Sequence, residues 1–143
     1  MVREFGKPDL FITFTCNPQW KEITQHIPKY QSVEHHPDLV ARVFRLKYKE
    51  LIHDIVTKQI FGKVASYFGS IEFQKRGLPH LHLLVILESQ YKLMTAEQID
   101  KVVSAEIPDP VLYPNLHELV MEHMIHGPCG NFNTKSPCMV PSK

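Results

Sequence analysis

The chain has 143 residues, enough for one domain whose core needs no disulfide support. Hydrophobic residues make up 43% and charged residues 22%, an ordinary balance for a soluble globular protein, and the longest apolar run, Leu83–Leu87, is far too short to cross a bilayer. A net charge of +1 does not advertise a nucleic-acid partner, although Arg42, Arg45, Lys47 and Lys49 cluster locally, as do Lys75 and Arg76. Three cysteines are an odd number and make no disulfide framework, which favours a reducing compartment. The opening "MVREFGKPDL" has no apolar h-region, so no secretory signal is expected.

In chain order, "DLFITFTCNPQW" predicts a largely buried strand over Leu10 to Thr15, broken by Cys16-Asn17-Pro18. Ile27 to Pro37 reads as a loop. In "PDLVARVFRLKYKELIHDIVTKQIFG", Val40, Val43, Phe44, Leu51, Ile52, Ile55 and Val56 recur at helical spacing, with Asp38 as cap and Gly62 as stop. This long amphipathic helix is expected to pack on a sheet. "KVASYFGSIEF" (Lys63–Phe73) and "HLHLLVIL" (His80–Leu87) are strands joined by the tight connection "QKRGLP", which predicts an antiparallel hairpin. Beyond its histidines the second strand is apolar on both faces, so it is expected at the centre of the sheet with both faces covered. Thr95 and Gln98 have capping-box spacing for a helix that Pro108 ends. A last helix begins near Asn115 and stops at Gly127, followed by an irregular Pro/Gly/Asn/Ser-rich tail. The order β-α-β-β-α-α-tail predicts an α+β fold: an antiparallel sheet with flanking helices.

One stretch carries chemistry. In "SIEFQKRGLPHLHLLVIL", His80 and His82 are two residues apart on a strand and therefore share a face. If the hairpin closes through Arg76-Gly77, Glu72 lies opposite His80 and diagonal to His82, within reach of both. A carboxylate and two imidazoles would then converge as a divalent-cation site with open positions, fit for Mg²⁺, Mn²⁺ or Zn²⁺. Such a site polarises a phosphoryl oxygen as a Lewis acid, and its affinity falls on acidification because ligating imidazoles must be neutral. A one-residue slip in the turn would throw Glu72 to the other face. A single strand histidine is ordinarily a hydrogen-bonded core or edge residue. Two on one face with an acid across the turn are less easily explained so.

At these residues the chain resembles a known family. "EFQKRGLPHLHLLVIL" is similar to the His-hydrophobe-His (HUH) motif of Rep-type endonucleases, and more narrowly to the Rep nuclease domain of Helitron rolling-circle transposons, the Helitron helicase-like N-terminal domain. "DLFITFTCNPQW", "SAEIPDP" and "MIHGPCG…SPCM" resemble further segments of that family in the same order. The resemblance implies an HUH/Rep-type nuclease fold, C-terminally truncated, with a partial endonuclease domain over 1–127 and an irregular cysteine-containing tail over 128–143. It implies that His80 and His82 are metal ligands, that Glu72 is the third, and that the cofactor is Mg²⁺ or Mn²⁺. Phe11, Thr13 and Thr15 resemble the Rep first motif and are implied to shape a DNA groove. The implied reaction is metal-assisted tyrosine transesterification that nicks and rejoins single-stranded DNA at transposon ends, in the nucleus, beside a downstream helicase domain and no membrane.

The family's nucleophilic tyrosines follow a Cys-rich segment, and none of Tyr30, Tyr48, Tyr67, Tyr91 and Tyr113 matches their motif. The chain is therefore expected to be a fragment or truncated copy that binds metal, and weakly DNA, without cleaving alone. The other reading is a non-catalytic nucleic-acid-binding module left from a decayed transposon. Lys75 and Arg76 flank the site as phosphate contacts or as ordinary solvated turn cations. Trp20 and the Phe11/Phe14 pair are candidates for base stacking, with at least one phenylalanine expected in the core. His126, Cys129 and Cys138 are a weak zinc set with no closing pair, and ordinary loop residues are the favoured reading.

Overall fold

The computed structural model describes residues 2–74 and 77–125. They fall into two compact units that part between Val102 and Val103. The first contains a short helix α1 (Val2–Phe5), strand β1 (Leu10–Thr15), a one-turn helix α2 (Lys21–Thr24), the long helix α3 (Pro37–Ile52), strands β2 (Val64–Phe73) and β3 (Pro79–Leu87), and the short helix α4 (Ala96–Asp100). The second contains helix α5 (Pro114–His123). The fold class is α+β, as the sequence predicts.

The sheet order is β1-β3-β2, and β3 pairs antiparallel with both neighbours. β1 and β2 consequently run parallel with β3 inserted between them, and the crossover from one to the other carries α3. Leu81, Leu83, Val85 and Leu87 alternate onto the face that meets α3, where they form the core with Leu10, Val40, Val43, Phe44 and Ile55. Phe14 joins them, stacked on Trp20 at 5.7 Å and on Phe44 at 5.4 Å. Gly69 sits close under this face: a Cβ there would lie 3.2 Å from a Leu81 methyl, which would have to give by a few tenths of an ångström, and in ordinary contact, 3.5 Å, with the Tyr48 hydroxyl.

Expectations for five elements are corrected. β3 is central, but only one of its faces is covered along its length. His80, His82 and Leu84 are half-buried on a face whose neighbours Thr13, Thr15, Ser70 and Glu72 are exposed, and Ile86 alone is fully buried there. β1 is not largely buried: only Leu10 is, and the strand alternates down to exposed Thr15. α3 starts with Pro37 at its first position, not with an Asp38 cap, because the fixed proline φ suits the first turn. It leaves regular α geometry at Ile52 and continues as a π-type turn over His53–Thr57, so it ends before Gln59 (φ 55°) rather than at Gly62. α4 does open with the predicted capping box, Gln98 N donating to Thr95 Oγ1 (3.3 Å) and Thr95 N to Gln98 Oε1 (3.1 Å), but it stops at Asp100. Val103 and Ile107, which a longer helix would bury, are more than half exposed. α5 begins at Pro114 and ends at His123, before the predicted Gly127 stop.

Candidate metal centre

The β2–β3 hairpin sets the site. Gly77 at φ +73° supplies the left-handed turn residue, Gln74 N donates to Leu78 O (3.0 Å), and Phe73 pairs with Pro79. Glu72 therefore faces His80 and Ser70 faces His82. Across the other ladder Thr15 faces His80 and Thr13 faces His82. Directly opposed residues share a face. The open face is thus built from three cross-strand rows: Thr15–His80–Glu72, Thr13–His82–Ser70 and Phe11–Leu84–Phe68.

Side-chain contacts follow the rows. The Glu72 carboxylate reaches diagonally to His82, Oε2 to Nε2 at 3.5 Å. The two imidazoles meet edge to face with centroids 4.6 Å apart. His80 Nδ1 is 2.7 Å from Thr15 Oγ1. When Nδ1–H donates to that hydroxyl, Nε2 keeps the lone pair and is the ligating atom, the arrangement that orients metal-bound histidines generally. His82 is held from its other side by Phe11, whose ring stacks on it at 5.7 Å and 12°.

The structure thus gathers Glu72, His80 and His82 onto one patch. Among the described residues, however, no three His, Cys, Asp or Glu side chains already surround a common point. The Glu72 side chain is 68% exposed, so turning it toward both rings meets no packing and costs at most its rotamer freedom, roughly 1–2 kcal/mol. One oxygen and two nitrogen donors at the open mouth of a sheet suit a divalent cation that keeps free coordination positions.

Phe11, Thr13 and Thr15 line the same face. Phe14 does not; it is in the core with Trp20 stacked on it, and Lys47 lies over the Trp20 ring at 5.0 Å. Lys75 and Arg76, and the zinc candidates His126, Cys129 and Cys138, lie outside the described residues. Tyr67 pairs with Val85 on the helix-covered side, where Tyr48 meets the Gly69 position, so neither hydroxyl belongs to the histidine face. Cys16 adjoins Thr15 but is 2% exposed, and burial pushes its thiol up to about 11, which makes it a core residue and not a nucleophile. Two residues of the face, Phe68 and Ser70, were not singled out from sequence. Counting back in twos from Glu72 finds both.

Taken together, fold and site define a class: a small antiparallel α+β domain that presents an acid and paired histidines on an open sheet. The chain matches the family model described as "Helitron helicase-like domain at N-terminus" over residues 1–85, and it belongs to that family. The matched stretch contains β1, α3, β2 and most of β3, hence every residue of the patch. No curated protein matches the chain. No helix among the described residues is long and apolar enough to cross a membrane.

Proposed function

We propose that this chain is the Rep-type, single-strand-processing part of a rolling-circle transposon protein, and that Glu72, His80 and His82 hold a divalent cation, Mg²⁺ or Mn²⁺, for that work. The observation that supports it is the shared open face: the carboxylate 3.5 Å from one imidazole and the second imidazole 4.6 Å from the first. Family membership supports association with nucleic acid and with a helicase partner domain.

The cation, when bound, would polarise a phosphoryl oxygen of single-stranded DNA so that a hydroxyl can attack the phosphorus while the P–O bond to the 3′-oxygen breaks and that oxygen leaves as a 3′-hydroxyl, taking up a proton. The chain's own residues do the rest. His80 and His82 supply the nitrogen ligands, Thr15 fixes the His80 ring through Nδ1, and Glu72 supplies the carboxylate oxygen of the set. Thr13 and Ser70 stand beside His82 as hydroxyls that can donate to neighbouring phosphate oxygens. The sequence adds Lys75 and Arg76 as phosphate contacts. No tyrosine of the chain is assigned as the nucleophile. The same reading makes the protein nuclear.

Binding of a labelled single-stranded oligonucleotide, with and without Mn²⁺, tests this. The chain binds more tightly with Mn²⁺, and His80→Ala/His82→Ala removes the Mn²⁺-dependent part. Binding indifferent to both metal and mutation would instead make the chain a non-catalytic nucleic-acid module.

A further inference from the structure

The third row of the open face, Phe11–Leu84–Phe68, supplies no ligand to a cation. Phe11 is 62% exposed and Phe68 57%, while Leu84 between them is half-buried. A strand face that only had to be wetted would carry hydroxyl residues here, as the next row does with Thr13 and Ser70. Two large rings thus stand open to water in one row, on either side of Leu84 and next to the histidine row. The Phe11 ring is already stacked nearly parallel on His82, so its position is fixed rather than free. With about 6.8 Å between alternate residues of a strand, the row lies one step from His82 and two from His80.

The chemistry of the surroundings selects the occupant. A protein surface docking on this face would bury Glu72 and both imidazoles with the phenylalanines, stripping three titratable groups of water. A nucleic-acid strand can avoid most of that penalty: its bases offer flat faces to the rings two rows from Glu72, while its phosphates can be met by the hydroxyls of the row between, Thr13 and Ser70. We infer that Phe11 and Phe68 are a two-ring platform on which bases of a single strand stack, one row beyond the histidine pair. This rests on the proposed function and adds to it where the bases lie.

The test is fluorescence anisotropy on the full chain with a labelled single-stranded oligodeoxynucleotide, in EDTA so that no cation contributes. Phe11→Ala and Phe68→Ala are each expected to weaken binding about ten-fold, the scale of one lost base stack, and Phe→Tyr at either position to restore it. Against an abasic oligonucleotide the alanine variants and the unmodified chain should bind alike. Unchanged affinity in both alanine variants, or an equal loss on ordinary and abasic strands, overturns the inference while leaving the cation site standing. So does a fall in melting temperature without a fall in affinity, which would make the rings packing residues. A self-association of the unmodified chain that the variants abolish would assign the face to a second copy. Failure of the unmodified chain to bind any single strand in EDTA, with binding restored by Mn²⁺, overturns the inference and leaves the proposed function standing; failure with Mn²⁺ present as well overturns both.

Discussion

Thr15 shows what a single hydroxyl decides. Its Oγ1 lies 2.7 Å from His80 Nδ1, so the hydroxyl engages that nitrogen and the proposed cation would be met by Nε2. Thr15→Val keeps the shape and the strand propensity but removes the partner. We expect Mn²⁺ affinity, measured by isothermal titration, to fall about ten-fold or more with the thermal unfolding curve unmoved. Cys16, one residue on, answers to pH. Burial raises its thiol from 9.0 to about 11 in the folded chain, so between those values the unfolded chain has lost a proton that the folded chain keeps. Stability is therefore lost as pH climbs from 9 toward 11, by on the order of 2 kcal/mol, and Cys16→Ala flattens that slope in urea titrations across the window. The pairing of His80 with His82 was legible because strand periodicity is exact. The role of Thr15 was not, since a sequence does not say which strand lies beside which.

At the scale of elements, the hairpin register is what brings Glu72 to the histidines, and turn chemistry made it readable: "QKRGLP" places its glycine where a positive φ is needed. The two left-handed glycines of this region differ in a testable way. A Cβ on Gly77 would meet nothing within 4 Å, so Gly77→Ala should cost only backbone strain, about 1 kcal/mol. A Cβ on Gly62 would fall 2.7–2.8 Å from Tyr91 ring and Cβ atoms, so Gly62→Ala should cost clearly more, roughly 2–4 kcal/mol. Urea denaturation of the two variants side by side decides this, and equal costs would contradict the packing described. Helix ends were the poorly readable part. Pro37 and Pro114 take first-turn positions that the polar residues beside them, Asp38 and Asn115, appeared to claim by type. α4 stops at Asp100, and Val103 and Ile107, which the sequence reads as apolar, are more than half exposed.

For the molecule as a whole, the sheet has one face for stability and one for work. Leu81, Leu83 and Val85 are fully buried under α3, whereas His80 and His82 alternate with them onto the open side. The sequence reading had both faces of β3 covered because Leu83–Leu87 is apolar without a break. Leu84 is part of that run yet stands between Phe11 and Phe68 on the open face, which hydropathy alone does not distinguish from burial. Family membership rests on residues 1–85, the same stretch that carries the whole patch. A divalent cation on this patch is the feature the proposed function needs most. Isothermal titration of the full chain with Mn²⁺ should give one site, lost in Glu72→Ala and in His80→Ala/His82→Ala. No uptake of Mn²⁺ or Mg²⁺ by the unmodified chain, or uptake that survives both sets of substitutions, would contradict it.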